Sequence, residues 1–242
     1  VGFNLNIDLL YGLPGQTEED LERSIRISLG HNPDQLSVYA VSLKPNIRLF
    51  RDPEANRSLE EKLKMYEMAR EILNKNGFKQ QTRNNFVRDN NTCLYEVRFA
   101  EGMQTIGLGT TAVSFVDGLV YRNGKLQEGY LQKADKGQLP VQLAYKYSDE
   151  EKMNAFIIKN LEWLKVDRTK FKDKFGLDII ESHPEVIHAL QDFGLTEIDD
   201  EALRITDRGT FFVTAIKRCF YDAEYVKRRE DFYRDKSRAL VR

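Results

Sequence analysis

The sequence predicts an α/β fold for its first half and a smaller, mainly helical unit for its second. Three observations carry this. Strand and helix patterns alternate between Phe3 and Thr82, the order expected of a parallel α/β layer. Two apolar runs then flank Asp117-Gly118, a strong hairpin signal. After Pro140 the pattern turns helical and ends in a small hairpin and another helix, a winged-helix-like texture. With 242 residues, 41% of them apolar, the chain can build one large core or two small ones.

Each element has a local reason. Phe3 to Leu10 is β-like and empties into the Pro14-Gly15 turn; Thr17 then caps a helix whose first turn holds Glu18, Glu19 and Asp20. Leu21, Ile25 and Leu29 recur at helical spacing. Leu36 to Val41 reads as a second buried strand, followed by a loop through Pro45 and Pro53. Ser58 and Glu61 form a capping box at the start of a helix that Gly77 ends. Phe78–Thr82 and Gln104–Leu108 are the third and fourth expected strands, and Ser114–Tyr121 the hairpin. In the second unit Ser148 caps a helix through Leu164, Thr169–Phe175 stops at Gly176, and Pro184–Phe193 stops at Gly194. Leu195–Ile198 and Ala202–Ile205 are short strands, and a last helix from Thr206 runs towards Arg229. The expected domains are residues 1–140 and 145–242.

Composition excludes several classes of function. A formal net charge of −1 gives no general attraction to nucleic acid or to an anionic membrane. Lys and Arg do cluster from Lys217 to Arg242 with Tyr221, Tyr225, Phe232 and Tyr233 between them, but Glu224, Glu230, Asp231 and Asp235 dilute the stretch into an ordinary solvated helix. No apolar run approaches a membrane span, and two cysteines, Cys93 and Cys219, suit a reduced, cytoplasmic setting. His31, His183 and His188 share no metal-ligand spacing.

Chemistry is concentrated in a few segments. Asn6-Ile-Asp-Leu-Leu-Tyr-Gly-Leu-Pro-Gly-Gln-Thr17 places the carboxylate of Asp8 on a strand that ends in a tight turn, where ligands of parallel α/β sheets gather. The reading of Asp8 as only a loop-fixing group is about equally favoured on general rules for buried charge. Ile106-Gly-Leu-Gly-Thr-Thr-Ala-Val-Ser114 lacks the third glycine of a dinucleotide fingerprint and the Lys-Ser/Thr of a P-loop. It reads more simply as a strand end with close backbone approach.

These two motifs, at their separation, resemble the radical S-adenosylmethionine (SAM) family of oxygen-independent coproporphyrinogen III oxidases, and the resemblance spans nearly the whole chain. It implies the C-terminal half of a partial, TIM-like β/α radical SAM barrel with a helical, winged-helix-like accessory domain. It also implies SAM and a 4Fe-4S cluster as cofactors, a tetrapyrrole (coproporphyrinogen III or haem) as substrate, and oxidative decarboxylation of propionates to vinyl groups. In this resemblance Asp8 contacts SAM, Val41 and Ser42 lie against its adenosyl part, and Leu94, Tyr95 and Val113 line the pocket of a second SAM. Thr110 and Thr111 stand where the family carries smaller residues. The family holds its cluster on a three-cysteine loop, which Cys93 and Cys219 do not make. With Val1 as its first residue, the chain therefore reads as the C-terminal portion of a larger enzyme, inactive alone and with no catalytic or metal-ligating residue of its own. A free barrel edge at the first strand is expected to drive self-association. The same architecture also serves haem-binding chaperones and SAM-dependent haem-modifying methyltransferases.

Overall fold

The computed structural model describes residues 3–42, 57–88, 94–222 and 226–227. Pro45, Pro53, Cys93, Tyr225, Phe232 and Tyr233, all used in the sequence reading, lie outside them, as does most of the basic stretch towards Arg242.

β1 (Asn6–Tyr11) and β2 (Gln35–Ala40) run parallel, with Asp8 beside Ser37 and Leu10 beside Tyr39. α1 (Glu18–Leu29) connects them and α2 (Leu59–Lys75) follows. Both helices begin with the expected capping boxes, Thr17 with Asp20 and Ser58 with Glu61. Each box satisfies two backbone donors that the first turn leaves open. Strand alternation decides which side of the sheet meets the helices. Ile7, Leu9 and Tyr11 face the core made with Leu21, Ile25, Leu36, Val38, Met65, Tyr66, Leu73 and Phe86. Asn6, Asp8 and Leu10 are exposed on the other side.

The sheet is mixed, not all-parallel as the alternation predicts. Its order is β1-β2-β4-β3, where β3 (Lys79–Gln80) and β4 (Asn85–Val87) are antiparallel to each other and β4 is antiparallel to β2. The expected third strand is cut short by a turn, because the Thr82 hydroxyl accepts from the backbone N–H groups of Asn84 (3.3 Å) and Asn85 (3.1 Å) and reverses the chain.

Gln104–Leu108 forms no strand. Thr105 alone bridges to Phe115, exchanging two bonds of 2.8 Å. Gly109, at φ 94°, then turns the chain away from the ladder. The Asp117-Gly118 hairpin forms as expected: β5 (Val113–Val116) and β6 (Leu119–Asn123) join through two residues at φ 49° and 75°. Two elements of this region are absent from the sequence reading, α4 (Gln127–Asp135) and β7 (Val141–Lys146), which pairs with β6. β7 crosses the expected junction between residues 140 and 145. A short helix, α3 (Leu94–Ala100), precedes the sheet.

The second unit contains α5 (Asp149–Leu161), β8 (Lys165–Asp167), α6 (Arg168–Phe175), α7 (Ile179–Ser182), α8 (Pro184–Asp192), β9 (Thr196–Ile198) and β10 (Ala202–Ile205). A 3₁₀ turn at Thr210–Phe212 leads into α9 (Val213–Arg218). The strands form a sheet of order β8-β10-β9. Phe156, Ile157, Leu161, Val166, Phe171, Ile187, Leu203 and Phe220 are buried in a second core. The last helix breaks after Arg218, and beyond residue 222 the stretch expected to run on towards Arg229 lies outside the described residues except for 226–227, which are helical. Phe220 and Tyr221 donate to Lys217 and Arg218 carbonyls, a tighter winding that carries Phe220 into the core. Phe211 links the units: its ring lies 5.5 Å from that of Tyr66 in the first core, and Arg70 pairs with Asp207 at 3.2 Å.

Candidate functional site

The site residues named from the sequence fall into two groups. In the first, Asp8 lies mid-strand on the exposed face of β1, more open than its sequence context suggests. A chain of donors orients it. Gln35 Nε2 donates to Ser37 Oγ (3.3 Å), Ser37 Oγ to Asn6 Oδ1 (3.0 Å), and Asn6 Nδ2 to Asp8 Oδ1 (2.9 Å). Three of the carboxylate's roughly four acceptor sites are thus left for a ligand or water. Val41 extends the β2 ladder, its N–H donating to Tyr11 O at 2.8 Å, and Ser42 beside it is exposed.

The turn after β1 is locked from several directions. Gln16 Nε2 donates to Leu10 O (3.1 Å) while its Oε1 accepts from Leu13 N–H (3.2 Å). Arg57 donates to Leu13 O (3.3 Å) and to Gln16 O. Gly12, at φ 78°, leaves room for the Lys62 stem, which a Cβ there would meet at 3.3 Å. Lys62 Nζ then reaches Val41 O at 3.3 Å, joining α2 to the end of β2. Lys62 and Arg57 have no signature in the sequence, since their role depends on where α2 lies. Beneath this rim the Tyr11 phenol is buried, which pushes its pKa well above the ordinary value against the weaker pull of Arg83.

The second group is Leu94, Tyr95 and Val113. Leu94 begins α3, and Tyr95, 56% exposed, stacks on Phe99 with ring centroids 6.0 Å apart. Val113, 53% exposed, opens β5 at the end of the loop that the Gly107–Val113 motif forms. That loop is fastened by a residue the sequence reading missed. Asn123, 3% exposed, donates through Nδ2 to Gly107 O (3.0 Å) and Gly109 O (2.9 Å). Gly107 N–H donates to the buried Ser114 hydroxyl (2.9 Å), and a Cβ on Gly107 would lie 2.6 Å from Val113 O. Only Gly107 serves close backbone approach; a Cβ on Gly109 would meet nothing within 4 Å, and that glycine is needed for its φ of 94° instead. Ile106 and Leu108 are exposed on this loop. A cavity of about 120 Å³ lined by Tyr147, Glu151, Asn154 and Lys159 contains none of the six residues.

The side chains present fit SAM better than a cluster. Asp8 is an oriented acceptor for hydroxyl or ammonium groups, and the end of β2 offers polar backbone groups suited to a base. A 4Fe-4S cluster does not fit this chain. Of its two cysteines Cys219 is an exposed free thiol, and no group of three His, Cys, Asp or Glu side chains with metal-holding geometry occurs among the described residues.

Comparison with solved structures identifies the fold as a mixed α/β fold similar to that of coproporphyrinogen III oxidase (HemN) from Escherichia coli, a radical SAM enzyme. The TM-score is 0.73 at 22% identity, over 89% of this chain and 54% of that one. Residues 147–212 match the family model of the HemN C-terminal domain. Among curated proteins, the chain is 24% identical over 215 residues to heme chaperone HemW of Bacillus subtilis, covering 86% of this chain and 57% of that protein. It is 25% identical over 229 residues to the oxygen-independent coproporphyrinogen III oxidase of Helicobacter pylori (87% and 50%). The Escherichia coli enzyme of that name is 24% identical over 246 residues (91% and 52%). The chain spans about half the length of the curated relatives it matches. The resemblance carried by Asn6–Thr17 and Ile106–Ser114 is therefore met by sequence, domain and fold alike.

Proposed function

We propose that this chain forms the SAM-contacting, tetrapyrrole-facing part of a radical SAM oxidoreductase of the coproporphyrinogen III oxidase type. The observation that carries the reading is Asp8, held open and oriented on the free face of β1 beside a turn locked by Gln16, Arg57 and Lys62. Bound SAM, with a cluster, supplies the one-electron chemistry that starts decarboxylation of a propionate; the protein orients the reactants and excludes water. Here Asp8 would accept from SAM hydroxyl or ammonium groups and Val41 and Ser42 would meet its adenosyl part. Leu94, Tyr95 and Val113 would line a second pocket. The cluster ligands are not among this chain's residues, so the chain alone turns over no substrate.

The finer architecture belongs to the same proposal. The sheet of β1 to β4 with α1 and α2 is read as the C-terminal part of a partial β/α barrel. Helices α5, α6 and α8 with the β8-β10-β9 sheet are read as a winged-helix-like unit. The division into residues 1–140 and 145–242 stays part of the proposal; it rests on the core built from residues between Met153 and Phe220, while Phe211 joins the first core and β7 runs across the junction. No helix among the described residues is long and apolar enough to cross a membrane, and the cysteine usage supports a cytoplasmic setting.

The similarity to heme chaperone HemW favours a second reading, in which the architecture holds haem without modifying it. Anaerobic reconstitution with iron and sulfide, followed by absorbance titration with haem, separates the two. The oxidase-type reading expects no stoichiometric cluster on this chain and no saturable haem band. A full cluster per chain would overturn the statement about its ligands, and saturable haem binding at one equivalent would favour the chaperone.

A further inference from the structure

Lys159 lies on α5, in the segment that matches the HemN C-terminal domain, yet its ammonium serves elements outside that domain. Its Nζ stands 4.2 Å from the centroid of the Phe99 ring and 4.5 Å from that of Phe115. Phe99 is on α3, where it stacks on Tyr95. Phe115 is on β5, two residues along the same face from Val113. One cation therefore touches both elements that carry the second group of site residues.

The neighbouring contacts point the same way. Asn160 Nδ2 donates to Ala100 O at 2.9 Å, fastening the C-terminal end of α3 to α5. Lys170, on α6, pairs with Glu101 just beyond that end at 2.6 Å. Electrostatically the position is costly for an ammonium. Burial, with repulsion from Lys174, holds the Lys159 pKa below lysine's ordinary value, and no carboxylate among the described residues pairs with it. What offsets the cost is the negative face of two aromatic rings, an attraction that grows as water is excluded. An apolar side chain of equal length would pack here without that cost but would not draw the two rings together.

We propose that Lys159 is a positioning residue: by holding Phe99 and Phe115 to one ammonium it fixes the spacing between Tyr95 and Val113, so that the C-terminal domain shapes the second candidate pocket. This rests on the assignment of Tyr95 and Val113 to that pocket. The test measures the spacing directly. Spin labels are attached at Arg98→Cys on α3 and Lys146→Cys on β7, both exposed and outside the candidate site, in the full chain with Cys93 and Cys219 replaced by serine. The distance between them is read by pulsed electron resonance.

The parent should give one narrow distance. Lys159→Met, which keeps the unbranched stem and removes the charge, should lose it, and Lys159→Arg, which restores a cation to the rings, should recover it. An unchanged narrow distance in Lys159→Met overturns the proposal. Should that variant not fold, Phe115→Leu removes a ring and leaves the cation; it too must broaden the distance, and failure to do so is equally decisive. SAM is titrated into the same labelled protein. No SAM binding, together with the expected Lys159 result, would overturn the pocket assignment and leave the clamp standing.

Discussion

Asn123 offers the sharpest test of how the motif loop is built. Its one amide donates to two carbonyls, Gly107 O and Gly109 O, from a site that is 3% exposed. Asn123→Ala removes both donors and leaves two acceptors without them. At about 1 kcal/mol per neutral hydrogen bond, the loss is about 2 kcal/mol. For a chain of this size that corresponds to a fall in melting temperature of about 4–8 °C. The positive φ of Thr111, 63°, is a further strain that the Asn123 bonds help to hold in place. Asn123→Asp sharpens the argument, because it keeps the shape but points carboxylate oxygens at the two carbonyls. It should cost more than alanine. Calorimetric melting of the three proteins, with hydrogen exchange over residues 106–112, measures both. Equal melting temperatures, or an aspartate variant more stable than the alanine variant, would refute the reasoning.

His183 is held by burial below the ordinary histidine value, against a smaller upward pull from Glu150, while its ring nitrogens contact Asn154 Oδ1 (2.7 Å) and Ser182 Oγ (2.9 Å). A depressed histidine takes up its proton more readily when unfolded, so stability should fall as pH drops through about 6.5, and His183→Gln should flatten that part of the profile in pH-dependent melts. Among the described residues β1 is an edge strand of its sheet, with its own Leu10 52% exposed and neither proline nor lysine in it to block pairing. Sedimentation should show concentration-dependent association that Leu10→Lys reduces; a clean monomer at high concentration would sink that expectation.

Much of the fold was legible because local chemistry decided it. Thr17, Ser58 and Ser148 each cap the helix expected of them, and Asp117-Gly118 needs the left-handed backbone that its hairpin turn adopts. What escaped was decided at longer range. The reversal at Thr82 that makes the sheet mixed depends on one hydroxyl and two N–H groups, a pattern too short to stand out. β7 alternates Val141, Leu143 and Tyr145 but lies almost wholly exposed, so its pairing with β6 is what makes it a strand. The site behaved in the same way. Asp8 and Val113 are candidates that motifs alone single out, whereas Lys62, Asn123 and Lys159 make contacts 21, 14 and 44 or more positions away, which only the fold brings together.

The most direct test of the proposed function is calorimetric titration of SAM into the chain and into its Asp8→Asn variant. The swap keeps size and removes the charge of an acceptor already oriented by Asn6. A hydrogen bond to a charged group contributes about 1.5–3 kcal/mol, so SAM should bind the parent saturably and the variant about 10- to 100-fold more weakly, with unchanged melting temperatures. Equal affinity in the two proteins would contradict the assignment of Asp8 to SAM.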